Sequence, residues 1–276
     1  MKNWKEEKGK IMNKRDALGD RMKSYESTET SRKLMKYLPI YARLDGKAFH
    51  NFTRGMERPF DNKFKNLMVE VTKFLVKEFG ASFGYTQSDE ISLGWYFPEI
   101  KSQPPLGGKI QKLNSVLAGK ASSKLMQLVI QEFPEKADSI PCFDCRIINL
   151  PNLTEACNML IWREKDAVKN SISMAASTVY SDKELFGKSG NQRQEMLFQK
   201  GINWNEYPVD FKRGSWVLRS ERLVNPEELV DIPEKYRPKE PVVRKIVERV
   251  EIPILTKIEN LEGVLFNGEA PKKKEE

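Results

Sequence analysis

Apolar positions along the chain fall into alternating and helical runs that follow one another in a definite order. Ile40, Ala42 and Leu44 alternate up to Asp45; Phe83 and Tyr85 alternate before Asp89, and Ile91, Leu93 and Trp95 after it. A period of two marks a half-buried strand. Between the first two strands, Phe64, Leu67, Met68, Val71, Phe74 and Leu75 recur at helical spacing as far as Phe79. Asp61 stands where that helix needs an N-cap and Gly80 where it needs a stop. The two runs flanking Asp89 are close enough to form a hairpin. Pro98 to Gly108 reads as loop. A second long helix then carries Leu113, Val116, Leu117, Leu125, Leu128, Val129 and Phe133, and a fourth strand spans Phe143 to Leu150. The order strand, helix, strand, strand, helix, strand predicts an α+β, ferredoxin-like antiparallel sheet with helices on one face. Its first and third strands lie centrally, which brings Asp45 and Asp89 together at one edge.

The flanks carry weaker patterns. Residues 1–20 are charged and predict a frayed arm, continuing into a helix that ends near Tyr37. Asn152 to about Tyr180 is helical in spacing, Asn191 to Phe198 predicts a short helix, and Lys212 to Arg219 a strand. From residue 220 the character changes: Pro226, Pro233, Pro238 and Pro241 precede an apolar stretch from Val250 to Leu255, and Lys272-Lys273-Lys274-Glu275-Glu276 reads as a disordered tail. The expected division is a main domain of residues 1–219, with an N-terminal arm and a helical insert, and a C-terminal extension of residues 220–276.

Composition narrows the class. The chain is 39% hydrophobic with five Trp and fourteen Phe, enough for a sizeable core. No run of about 18 apolar residues exists, so no transmembrane helix is expected, and the charged N-terminus is no secretory signal. Three Cys give no disulfide framework, and a reducing cytoplasm is the expected location. A formal charge of +8 fits a polyanionic partner such as nucleic acid, though many mildly basic proteins bind none.

Chemistry concentrates at the two strand ends. Carboxylates at Asp45 and Asp89 can hold Mg²⁺, a hard cation that takes oxygen ligands and keeps positions open for phosphate; two such ions can clamp the attacking and leaving oxygens of a phosphoryl displacement. The same residues also read as surface-turn aspartates, since Asp-Gly is a common turn dipeptide. Gly46 favours the metal reading, because backbone without Cβ can approach a phosphate or offer its carbonyl to metal. Glu90 follows Asp89 and, on a strand, points to the opposite face; it is a supporting carboxylate or simply exposed. His50 is the only His, which nearly excludes His-based zinc sites and Ser/His/Asp catalysis; it is a structural residue or a contact to base or phosphate. Lys120 and Lys124, four apart on one helix around Ser123, read either as a triphosphate clamp or as a solvated helix face. Arg58 in Arg58-Pro59-Phe60-Asp61 can lie near a phosphate. Cys142 and Cys145 have C-x-x-C spacing but no partner motif, and read as small core residues. No P-loop and no G-x-G-x-x-G is present.

Taken together, Arg43-Leu44-Asp45-Gly46-Lys47-Ala48-Phe49-His50, Arg58-Pro59-Phe60-Asp61, Gln87-Ser88-Asp89-Glu90-Ile91-Ser92 and Phe143-Asp144-Cys145-Arg146 resemble the tRNA(His) guanylyltransferase family and its bacterial, archaeal and phage guanylyltransferase-like members. Trp162-Arg163-Glu164-Lys165-Asp166 and Glu195-Met196-Leu197-Phe198 also fit, so the resemblance spans about residues 16–219. It implies a polymerase-type palm that extends RNA in the 3′-to-5′ direction. Asp45, Asp89 and the Gly46 carbonyl would hold two Mg²⁺, with Glu90 joining the catalytic carboxylates. Gly46, Lys47, Ala48, Phe49, His50, Arg58, Ser88, Lys120, Ser123 and Lys124 would contact the nucleotide, ATP or GTP or another nucleoside triphosphate. A 5′-monophosphate is activated with ATP, and the 3′-hydroxyl of the incoming triphosphate attacks the activated end. Eukaryotic members carry His-Ile-Asn-Asn where this chain has Val168-Lys169-Asn170-Ser171, a departure that favours template-dependent repair of tRNA 5′ ends over fixed addition of G to tRNA(His). The resemblance also implies a homotetramer built as a dimer of dimers, with tRNA spanning subunits.

Two other readings share the palm. A nucleotide cyclase would use triphosphates without RNA, and leaves the positive charge unexplained. A non-catalytic RNA-binding protein would tolerate loss of both aspartates.

Overall fold

The computed structural model describes residues 16–274. Its frame is one six-stranded, wholly antiparallel sheet in the order β4-β1-β3-β2-β5-β6. The strands are β1 (Ile40–Gly46), β2 (Phe83–Gln87), β3 (Glu90–Trp95), β4 (Phe143–Asn149), β5 (Ser215–Val224) and β6 (Val242–Val250). The first four form the ferredoxin-like unit expected from the sequence, with β1 and β3 central.

The helices are α1 (Ala17–Thr30), α2 (Phe49–Phe52), α3 (Asn62–Phe79), α4 (Ile110–Glu132), α5 (Leu153–Ala176), α6 (Asp182–Leu185), α7 (Gly190–Gln199), α8 (Val209–Arg213) and α9 (Leu261–Asn267). Asp61 caps α3 by accepting from the Phe64 amide at 2.9 Å, and Gly80 ends it in the left-handed conformation. Helices α3 and α4 cover one sheet face, where Ala42, Leu44, Ile91 and Leu93 are fully buried with Leu75, Leu117 and Leu125. Helix α5, capped by Asn152, covers the other face with the C-terminal segment; Tyr41, Tyr85, Leu160, Trp216, Leu255 and Val264 form that second core.

Several expectations change. The first helix stops at Thr30, not near Tyr37. It buries nothing, and its Ser and Thr hydroxyls bond back to its own carbonyls, an interaction that competes with helix continuation. Beyond it, Leu34 is buried and its amide bonds the Gly108 carbonyl at 2.8 Å, which holds the segment extended. The strand expected over 212–219 begins at Ser215, after α8 and Gly214, and runs on to Val224. Gly214 has φ 78°, and a Cβ there would lie 2.6 Å from the Thr86 carbonyl oxygen. The division at residue 219 thus falls inside β5, and β6 from the C-terminal extension completes the same sheet. The tail is pinned at Lys272–Lys274, where the Glu259 amide donates to the Lys272 carbonyl and the Lys274 amide to that of Lys257, each at 2.9 Å. The arm over residues 1–15 and the last two residues lie outside the described part.

Helix α5 ties the second core together through Glu164, buried beneath the C-terminal segment. It accepts from the Leu255 amide at 3.1 Å and from Arg213 Nη1 at 3.4 Å. Burial raises its carboxyl above the ordinary range, against the pull of the Leu255 amide and Arg213. A raised folded value means the fold holds that proton more tightly than the unfolded chain. Wild-type stability should therefore fall, relative to Glu164→Gln, as pH climbs from about 4.3 through the raised folded value. Urea titrations of both proteins at several pH values measure the difference; a constant gap between them would contradict it.

Candidate active site

Asp45 sits at the end of β1, facing Glu90 on β3 and Asp144 on β4 in the same cross-strand row. Asp89 occupies the two-residue turn between β2 and β3, after Ser88 at φ 49°. Thr86 Oγ1 closes the hairpin by donating to the Glu90 carbonyl at 2.9 Å. The Gly46 amide donates to the Asp89 carbonyl at 3.1 Å, so the two acidic segments are joined through their backbones.

Gly46 is required by packing. A Cβ there would stand 2.5 Å from Cδ2 of Phe49, whose ring is locked among Phe52, Phe64 and Phe143 at centroid distances of 5.4, 6.2 and 5.1 Å. Gly46→Ala should cost about 1–3 kcal/mol, the usual penalty of overpacking, and should reduce activity by displacing the strand end. Denaturation midpoints and turnover of the same preparation check both.

Arg43 and Arg163 line the cleft over the aspartates, yet neither pairs with them. Among the described residues neither Asp45 nor Asp89 has an ion-pair partner. Burial, and then the neighbouring Asp45 charge, raise the Asp89 carboxyl above its usual range, while hydrogen bonds to its own backbone amide and Ser88 pull it down. Two hard carboxylates flanking a glycine, with charge left uncompensated, fit Mg²⁺, which is held by one or two carboxylates and completes its shell with water and phosphate. Among the described residues no group of three or more His, Cys, Asp or Glu is arranged to hold a metal ion.

Glu90 departs from the expectation. Because Asp89 belongs to the turn and not to the pleat, Glu90 shares the face of Asp45. It is buried and held bidentately by Arg163 of α5, Nε to Oε1 at 2.7 Å and Nη2 to Oε2 at 2.6 Å. Arg163 Nη2 also donates to Asp166 at 2.9 Å. Glu90 therefore braces α5 against the sheet beneath the aspartates. Arg163, Asp166 and Arg43 were not singled out as site residues from the sequence; the only signal was their place in the Trp162–Asp166 and Arg43–His50 segments.

Three spaces meet at the Ser88-Asp89 turn. One of about 320 Å³ is lined by Gly46, Ala48, Phe49, His50, Ser88 and Asp89. A second, about 470 Å³, opens over Arg43, Asp45, Asp89, Glu90, Arg163 and Asp166. A deeper one of about 310 Å³ runs past Arg58, Phe60, Phe64, Gln87, Ser88, Asn170 and Phe211. His50 is exposed on α2, Ala48 takes φ 57° before it, and the Lys47 amide bonds the Cys142 carbonyl at 2.8 Å. Lys120, Ser123 and Lys124 line none of these spaces. Lys120 pairs with Glu78 at 3.0 Å and Lys124 bonds Gln127 at 2.9 Å, both ammonium groups lying over the Phe74 ring on the outer side of α3 and α4. Lys120 and Lys124 thus stand apart from the three clefts.

A ferredoxin-like sheet carrying paired carboxylates at the ends of its central strands, open to three connected clefts, is the layout of a nucleotidyltransferase palm. A family model described as tRNAHis guanylyltransferase matches residues 19–151. The tRNA(His) guanylyltransferase of Saccharomyces cerevisiae is 30% identical over 227 residues, covering 75% of this chain and 94% of the yeast protein. A bacterial tRNA(His) guanylyltransferase-like protein solved in complex with ATP superposes with a TM-score of 0.76 at 33% identity, over 91% of this chain and 99% of that one. Another such bacterial structure, in complex with GTP, gives 0.68 at 31% identity, over 88% and 95%. The chain belongs to the tRNA(His) guanylyltransferase family, nucleotidyltransferases that act on tRNA. No helix among the described residues is long and apolar enough to cross a membrane.

Proposed function

We propose that the protein is a Mg²⁺-dependent 3′-to-5′ nucleotidyltransferase that repairs tRNA 5′ ends by template-dependent addition. The observation that carries this reading is the pair of uncompensated carboxylates, Asp45 and Asp89, joined through Gly46 where three clefts meet. The family and the ATP- and GTP-bound bacterial relatives support nucleoside triphosphates as substrates.

Asp45 and Asp89 would hold Mg²⁺, which supplies charge neutralisation on phosphoryl oxygens and activation of the attacking hydroxyl. Ser88 and Arg58 offer hydroxyl and guanidinium groups toward phosphates around the turn. Phe60 and Phe211, stacked at 4.5 Å, wall the deep cleft against water. The Glu90–Arg163 pair keeps the turn and α5 in fixed relation. Val168 and Lys169 in place of the eukaryotic His-Ile favour repair over a fixed G addition, and Asn170 from the same stretch reaches the clefts. A dimer of dimers in the cytoplasm, with tRNA crossing subunits, completes the proposal.

Incorporation of each labelled nucleotide into a tRNA lacking its first 5′ nucleotide, with Mg²⁺ and ATP and with Asp89→Ala as control, tests it. Only the nucleotide complementary to the opposing 3′-strand base should be added. Addition of G whatever the template would establish the guanylyltransferase role instead, and no addition would refute the reading.

A further inference from the structure

Extending an RNA end with a nucleoside triphosphate requires two seats flanking the carboxylates. The deep cleft beside Arg58 and Phe60 lies on the α3 and α8 side of the Ser88-Asp89 turn. The opposite side, over β1 and β4, carries a different surface. Trp162 projects from α5 with 51% of its area exposed, although Trp is the largest apolar side chain. Arg163 lies over its ring at 4.4 Å and Arg43 at 5.7 Å.

The two arginines differ. Arg163 is neutralised by Glu90 and Asp166 and props the ring from within. Arg43 has no carboxylate partner among the described residues. It stands two positions before Asp45 on the same face of β1. Its neighbour across the ladder is Arg146, exposed on β4, with one contact to Asp144 at 3.3 Å. An exposed indole flanked by available guanidinium groups is the combination by which proteins hold a nucleic-acid end: the ring takes the face of any base, and the cations take phosphate.

We infer that Trp162, with Arg43 and Arg146, seats the 5′-terminal nucleotide of the RNA being extended; this rests on the reading above that RNA is the acceptor. Stacking is indifferent to base identity, so the seat serves an enzyme that must accept different first nucleotides. The 5′-phosphate then lies between Arg43 and the carboxylate pair, and the triphosphate enters from the other side of the turn.

The test uses a 5′-phosphorylated acceptor-stem hairpin RNA lacking its first nucleotide, with Mg²⁺, ATP to activate the 5′-phosphate, the incoming nucleoside triphosphate and the full-length protein. Trp162→Ala should raise the KM for the hairpin about tenfold, the scale of one lost base stack, with the KM for the nucleoside triphosphate unchanged. Trp162→Phe should retain most of the RNA affinity but lose the tryptophan quenching that accompanies RNA binding, and Arg146→Gln should weaken RNA binding in low salt. An unchanged hairpin KM in Trp162→Ala, or an equal rise in both KM values, would overturn the seat. So would a drop in oligomer mass accounting for the RNA defect, which would make this surface a contact between copies. A wild type that extends the hairpin while the variants behave like it refutes the seat alone; a wild type that extends no RNA refutes the functional reading itself.

Discussion

Asp45→Asn and Asp89→Asn should each lower nucleotide incorporation on the order of a thousandfold, while the metal-free variants unfold at the same denaturant concentration as wild type or higher. The two effects share one cause. Asp45 ends an interior strand and Asp89 sits in the turn beside it, neither with an ion-pair partner, and burial plus the Asp45 charge oppose ionisation of Asp89. Removing one charge relieves that conflict in the fold. The same removal takes away an oxygen ligand aimed at the reacting phosphates, and loss of a preorganised electrostatic contact costs about 100- to 1,000-fold even for a neutral donor. Asn keeps the shape and leaves the Gly46–Asp89 backbone bond in place. Sites where activity and stability pull apart are expected to show opposite signs in the two assays. Single-turnover incorporation and urea titration of one preparation would decide; a variant that loses both, or neither, contradicts the assignment.

Arg163→Met should be the most destabilising single change near the site, by about 3–5 kcal/mol. Arg163 and Glu90 are both nearly inaccessible, with side-chain exposures of 6% and 7%. Truncating the arginine leaves a carboxylate buried beside Asp45 with only the weaker influence of Arg43 to offset its charge. The burial already raises the Glu90 carboxyl, and Arg163 is what pulls it back. Replacing both partners, as Arg163→Met with Glu90→Leu, removes the orphaned charge and should recover most of the loss. Equal destabilisation in the single and double variants would mean that packing of the Arg163 stem, and not the charge pair, holds α5 to the sheet.

Much of this architecture was legible in the chain. Ile40-Ala42-Leu44 and Ile91-Leu93-Trp95 alternate because one sheet face is sealed by α3 and α4, and that burial imposes the period. The α3 boundaries could be read because Asp61 and Gly80 act locally. β6 could not. Val242-Val243-Arg244-Lys245-Ile246-Val247-Glu248-Arg249-Val250 pairs like with like, a rhythm of neither strand nor helix, and it pairs on one side only, with β5. The site divides the same way. Asp45 and Asp89 follow from strand ends. The side taken by Glu90 was hidden because the pleat does not extend through the turn, and its partner Arg163 is 73 residues away. Helical spacing placed Lys120 and Lys124 on one face of α4, but spacing does not say which way that face looks.

The Gly46 amide that reaches the Asp89 carbonyl ties the end of β1 to the turn between β2 and β3. Both elements belong to the interior of the sheet, so opening of the acidic pair is expected to draw on the sheet's own stability. A divalent cation bound there would hold the Ser88-Asp89 turn against the end of β1. Its binding energy passes directly to global unfolding, about 2.7 kcal/mol when the ion is present at a hundredfold excess over its Kd. The heat tolerance of this protein would then be a gauge of the divalent ion supply around it.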